Sequence, residues 1–213
     1  MGKAVWGTSG GFQGKNGANI GRWLDGQNIV GPLPHPSQVP PTIAQLNQRA
    51  IFGMLTSWLR IIKLIIRSGF NIAGERGSPW TAAVSYNLRN AVTGVAPNFA
   101  IDYPKVVFCK GQLSTPTDWS VSSGTGAALE FEWSKEFNVG AGADTDKVTF
   151  VTYNPTRGSF IFLMGAATRV QESYSLQMPL TFAGDTVHCW MSFLSADGKV
   201  SSNSIYIGIA VVV

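Results

Sequence analysis

TIAQLNQRAIFGMLTSWLRIIKLIIR, residues 42–67, is the longest helical signal in the chain and its most apolar stretch. Pro40 and Pro41 hold the approach extended and exclude helix before them. Thr42 then serves as an N-cap, with Gln45 three residues on to complete a capping box. At 100° per residue, Gln45, Arg49, Thr56, Arg60, Lys63 and Arg67 fall on one narrow arc. Nearly all of the rest is apolar, including Met54, Trp58, Ile61, Ile62 and Ile65. A surface helix needs an apolar stripe of roughly 100°, and this one exceeds half a turn. The pattern predicts burial on two sides, with these five residues touching more than one neighbour. The covering surface is the chain's own fold, a neighbouring subunit, or a membrane surface facing a cationic arc of Arg49, Arg60, Lys63 and Arg67. Arg60 and Lys63 interrupt the run and argue against a membrane span.

The composition narrows the class. A chain of 213 residues suits one large domain, or one domain with an extension. Only 13% of residues are charged, about half the usual quarter, which favours an assembled state. Residues 1–99 hold nine Lys/Arg against two acids, net +7, and residues 100–213 hold seven against ten, net −3. The bases stand singly, so nucleic acid ranks below self-association as a partner. Cys109 and Cys189 lie in strand-like apolar contexts and read as buried thiols. Neither they nor His35 has metal-ligand spacing, and no cofactor is expected. The opening MGKAVWGTSGGF lacks the apolar core of a signal peptide. The expectation is a chain made in the cytoplasm that reaches a virion or extracellular assembly by lysis or another non-classical route.

Three segments follow in order. Residues 1–36 form a glycine-rich β arm, with Asp25-Gly26 a hairpin turn between Trp23-Leu24 and Ile29-Val30. Strands this rich in glycine are weak alone. Residues 37–96 form a helical segment, entered through the stiff stretch PLPHPSQVPP. Its first helix runs over 42–67. Its second runs over 79–93, capped by Ser78 with Pro79 at the first position and packing through Trp80, Val84, Leu88 and Ala91. Residues 97–213 change to a period of two. Strands are expected at Val106–Lys110, Ala128–Trp133, Lys147–Tyr153, Ser159–Met164, Tyr174–Met178, Thr186–Leu194 and Ser204–Val213. In the last of these, Ile205, Ile207, Ile209, Val211 and Val213 share one face. The fold class is α+β, mainly β, with a C-terminal antiparallel sandwich.

Two resemblances rest on specific residues. Trp133 and the run FAGDTVHCWMSFLSADGKVSSNS are similar to an immunoglobulin-like, more narrowly fibronectin-type-III-like, sandwich over the last 110 or so residues. The tyrosine-corner position is not clearly filled, His188 being nearest. Over the whole chain, GGFQGKNG, PPTIAQLNQRA, TAAVSYNLRNAVTG and AGDTVHCWMSFLSADGKVSSNS resemble a domain-of-unknown-function family frequent in Bacteroidota and their phages. The shared helix start is Pro41, Thr42, Ala44, Gln45 and Arg49. That family has no assigned activity, so the resemblance implies origin and fold and carries no functional residues. The second half of the long helix lacks the prolines expected in that family, which implies a straighter and greasier helix.

No catalytic constellation follows from the sequence. His188 has no nucleophile or orienting acid near it in sequence and reads as a sandwich surface residue. Asp144-Thr145-Asp146 lacks the rest of a calcium loop and reads as a solvated turn. The glycines form neither a phosphate loop nor a dinucleotide loop. Of seven tryptophans, Trp80 and Trp133 read as core. Trp23, Trp119 and Trp190 read as contact residues. The leading expectation is a non-enzymatic structural protein that self-assembles, as a virion or appendage component, with homo-oligomeric contacts through Met54, Trp58, Ile61, Ile62, Ile65, Trp23 and Trp190. The alternatives are an adhesin or carbohydrate binder using Trp119 and Trp190, and a nucleic-acid or membrane-surface binder using the basic arc.

Overall fold

The computed structural model describes residues 2–3, 11–35, 38–70, 77–137 and 140–213. Trp6, the middle of the proline-rich stretch at 36–37 and most of the loop at 71–76 lie outside the described residues. The chain forms two compact units, residues 1–42 and 43–213.

The first unit is a small antiparallel sheet of β1 (Gly2–Lys3), β2 (Gly14–Asn16), β3 (Asn19–Leu24) and β4 (Gln27–Pro32), in the order β1-β4-β3-β2. Asp25 and Gly26 turn β3 into β4 with positive φ at both residues, the turn that suits the twist of a hairpin. Gly21 must be glycine, because a Cβ there would strike the Phe12 carbonyl. Among residues 11–35 only Gly21 and Asn28 are buried, and the Asn28 amide donates to that same carbonyl at 2.8 Å. This sheet has almost no apolar core of its own.

The second unit has three layers. The helical layer comprises α1 (Ile43–Arg60), α2 (Lys63–Gly69) and α3 (Pro79–Asn90). A hairpin of β5 (Val92–Val95) and β6 (Asn98–Ile101) follows. The sandwich then takes β7 (Trp119–Ser123), β8 (Ala128–Trp133), β9 (Lys147–Asn154), β10 (Ser159–Thr168), β11 (Ser173–Gln177), β12 (Thr186–Leu194) and β13 (Ile205–Val211). One sheet has the order β11-β8-β7 and the other β10-β9-β12-β13. The fourth strand of the sandwich pairs with the third rather than the fifth. The fold is α+β and mainly β.

Alternation along the strands builds two cores. Inward, Leu129, Phe131 and Trp133 of β8 meet Val148 and Phe150 of β9 and Val187, Cys189, Met191 and Phe193 of β12. Outward, Val151, Tyr153 and Trp190 face the helices, and Leu55, Leu59, Ile62, Ile65, Ile66, Phe70, Ala83 and Val84 cover them. The four-stranded sheet is thus buried on both faces. The helical segment and the sandwich share one unit because they share this second core.

Several expectations are corrected. The long helix is not continuous: it breaks at Ile61–Ile62, where the Ile62 amide reaches back only to the Leu59 carbonyl at 3.1 Å. The break divides the apolar surface unequally, Ile61 staying 51% exposed while Ile62, Ile65 and Ile66 are buried. α3 stops at Asn90, its Ser78 cap accepting from the Thr81 amide at 3.2 Å as expected. Val106–Lys110 is not a strand of the sandwich. Its buried side chains sit under the helices, and the Asn87 side chain satisfies both the Val107 amide, at 2.9 Å, and its carbonyl, at 2.6 Å. The first strand of the sandwich is instead Trp119–Ser123, whose apolar alternation rests on Trp119 and Val121 alone. In β13 the five aliphatic residues do not share a face. The register slips between Trp190↔Tyr206 and Cys189↔Gly208, a bulge that turns Ala210 and Val212 inward and leaves Ile209, Val211 and Val213 exposed.

The helix break sets a stability contrast. Leu59→Ala empties a fully buried site and is expected to cost about 2–5 kcal/mol, while Ile61→Ala, on the exposed side, should change stability by less than about 0.5 kcal/mol. Urea unfolding of both variants checks this; equal losses would mean that the helical layer is not seated as described.

Candidate functional site

The residues expected to form contacts separate into inside and outside. Trp190 is fully buried between the sheet and the helices and, with Ile62 and Ile65, is beyond reach of a second chain. The correction has a simple cause: its face of β12 is the one the helical layer covers. Trp58 and Met54 are half-buried. The Trp58 ring docks α1 on the sheet, 4.8 Å from Phe160, 5.2 Å from Tyr153 and 6.5 Å from Trp190. Trp23, in the first unit, is 50% exposed. Of the basic arc, Arg49, Arg60 and Arg67 are exposed, and the Lys63 ammonium lies 5.4 Å from the centre of the Trp80 ring.

His188 joins the aromatic seam between the layers rather than the open surface. Its Nδ1 shares a 2.8 Å hydrogen bond with the Tyr206 hydroxyl, and its ring lies 4.4 Å from Tyr103. Burial holds the imidazole below its ordinary value of 6.5 and pushes the Tyr103 hydroxyl up to about 12. Cys109 and Cys189 are free and buried, and burial pushes both thiols up to about 12. At neutral pH they are inert thiols, not nucleophiles.

Asp146 is also not in a solvated turn. It is buried, accepts from the Ala143 amide at 2.8 Å and from Arg169 Nε at 3.2 Å, and both partners of the ion pair are almost fully enclosed. Arg169 also donates to the Ser114 carbonyl at 2.8 Å and lies 4.1 Å over Phe193. A cation therefore occupies the carboxylate that a metal would have used. The pair ties the β9, β10 and Ser114 segments together at one end of the sandwich.

The two outer surfaces of the second unit differ in kind. On the helical side, residues 43–54 of α1 include no buried residue, and Ile43, Leu46 and Phe52 are 77%, 50% and 50% exposed. On the other side, the outer face of β11-β8-β7 is a polar ladder. Glu132 stands between Ser120 and Ser173, and Glu130 between Ser122 and Ser175. The Ser175 hydroxyl donates to Glu130 at 2.7 Å and the Ser120 hydroxyl to Glu132 at 3.3 Å. At one end a groove of about 420 Å³ is lined by Asp118, Glu132, Glu172 and Trp119, the last 41% exposed. The alternation of ALEFEW already turns Glu130 and Glu132 to water; what the structure adds is the SxS repeats of β7 and β11 on either side of them.

Comparison with known proteins adds one finding. Residues 11–208 match a family of unknown function, DUF6266. The chain belongs to that family. The match takes in β2, β3 and β4 of the first unit and most of the second. No curated protein matches the chain. Among the described residues, no helix is long and apolar enough to cross a membrane.

The depressed His188 pKa fixes a pH dependence. Below about 6.5 the unfolded chain binds a proton that the folded chain refuses. The stability this group supports is present above that pH and is lost as pH falls through it toward the folded value. Denaturant midpoints should therefore fall between pH 7.5 and pH 5.5, with a shallower fall in His188→Gln. An unchanged slope in that variant would remove His188 from the account.

Proposed function

We propose that this DUF6266 chain is a non-enzymatic structural subunit that assembles with copies of itself, as a component of a virion or an appendage. The observation that carries this reading is the first half of α1. Residues 43–54 form a regular helix with large apolar side chains and no buried residue. Helices in water take most of their stability from packing rather than propensity. Ile43, Leu46 and Phe52 are exposed on different sides of this segment, so it has no apolar cover within its own unit, which supports a partner there. The sheet of the first unit, near-coreless among its described residues, and exposed Ile209 and Val211 of β13, with Val213 beyond it, point the same way. Multi-angle light scattering at micromolar concentration and low salt is expected to give a multiple of the 22.8 kDa chain mass. Leu46→Asp with Phe52→Asp should shift the population to monomer. A wild-type protein that stays monomeric would end this reading.

A second reading follows from the groove on the opposite face. A half-exposed tryptophan beside carboxylates and serine hydroxyls offers both the stacking platform and the hydrogen-bond groups that suit a sugar. A carbohydrate-binding module would give saturable binding on a glycan array, lost in Trp119→Ala. Trp190, which is buried, has no part in it. A blank array with the folded wild-type protein rejects this reading and leaves the assembly reading standing.

A further inference from the structure

The second unit is polarised in charge across its thickness. In the helices, α1, α2 and α3 carry Arg49, Arg60, Lys63, Arg67 and Arg89 and no acid at all. These helices cover the outward face of the four-stranded sheet. The three-stranded sheet closes the inward face, so its polar ladder looks out on the far side of the unit. Four acids of the sandwich region are held in ion pairs: Asp102 with Lys105, Asp185 with Arg157, Asp146 with Arg169 and Asp197 with Lys199. Glu130, Glu132, Asp118 and Glu172, which belong to the ladder and its groove, have no ion pair among the described residues. No Lys or Arg lines that groove. The helices thus carry cations alone and the outer strand ladder carries acids alone, with Lys135, whose amide donates to Glu172 at 3.0 Å, the nearest base beyond the ladder.

Building on the assembly reading above, we infer that the Ser–Glu face of one copy docks on the cationic helical layer of a second copy. Each face is short of the opposite charge and the other supplies it, which is the complementarity that sets register and partner choice at interfaces. The occupant is a second copy because the same chain carries both halves of the match. The contact is heterologous: a docked pair still presents one free acidic face and one free cationic face. It therefore propagates as a ring or filament and does not close as a twofold dimer.

Charge reversal on one face at a time separates this arrangement from any other. Glu130→Lys with Glu132→Lys alters only the outer ladder, and Arg60→Glu with Arg67→Glu alters only exposed helix positions. Light scattering should find each double variant monomeric alone, where wild type is larger. An equimolar mixture should associate again, because the intact helical layer of one variant meets the intact ladder of the other and the two reversed faces are themselves of opposite sign. Wild-type assemblies should also shrink between 0.05 M and 1 M salt, as the screening length falls to about 3 Å. The neutral Glu130→Gln, Glu132→Gln variant guards against a folding defect, and its assembly midpoint should rise about tenfold or more. If wild type assembles and the neutral variant does so at an unchanged midpoint, the docking is overturned while self-assembly stands. If the mixture stays monomeric although both variants unfold cooperatively, the docking is likewise overturned. A wild type that is monomeric in low salt removes the assembly reading itself.

Discussion

The sheet β10-β9-β12-β13 is apolar on both faces, and the rest of the second unit follows from that. β9 is buried from Val148 to Asn154 and β12 nearly throughout, so neither strand has a side to leave in water. Fully burying a large aliphatic or aromatic side chain is worth about 1.5–3 kcal/mol. Exposing the outward residues Val151, Tyr153 and Trp190 would thus cost a substantial part of a domain's net stability. A two-layer sandwich covers one face only. The helices supply the other cover, and the apolar side of α1 and α2 that looked too wide for one neighbour is partly spent on this sheet.

The break at Ile61–Ile62 shows how one apolar stretch serves that cover without remaining straight. A continuous helix turns its stripe steadily around its axis. Restarting at Lys63 keeps Ile62, Ile65, Ile66 and Phe70 over the sheet after Leu55 and Leu59 have already used it. Trp58 is the pivot, set among Tyr103, Tyr153, Phe160 and Trp190. Before the pivot, from Ile43 to about Met54, the helix continues with no buried residue. The two sides of burial expected from the sequence are therefore distributed along the helix as well as around it.

Much of this architecture was legible in the residues, and the misses have physical causes. Local chemistry read correctly: Asp25-Gly26 as a hairpin turn, Ser78-Pro79 as a helix start, and strands β8, β9 and β12 by their alternation. These features depend on a residue and its near neighbours. What failed depended on a distant partner. Val106–Cys109 is as apolar as a strand, but its backbone is satisfied by the Asn87 side chain. The β13 face inverts at a bulge that only the pairing with β12 reveals. Trp190 looked like a contact residue because sequence does not say which outward face a helix will cover. Asp146 looked solvated because its partner, Arg169, lies 23 residues away in sequence. The outward Glu130 and Glu132 were legible in the alternation of β8, but their serine neighbours were not: short polar repeats mean little until they lie side by side.

The charge asymmetry between the two halves of the sequence takes its meaning from these layers. In sequence it allowed three interpretations: nucleic acid at the basic half, attraction within the chain, or attraction between chains. Within the second unit, the helical layer and the Ser–Glu ladder are separated by both sheets of the sandwich. Direct ion pairing between them inside one copy is excluded by that thickness, since charges further apart than about 10 Å are largely screened at ordinary salt. The internal ion pairs use acids elsewhere: in the hairpin exit, the sandwich end and the turns. A protein built to remain alone is better served by interspersed signs than by two opposed single-sign faces. The segregation thus shifts the weight from intramolecular attraction to attraction between copies, with α1 and α2 supplying one of the two faces.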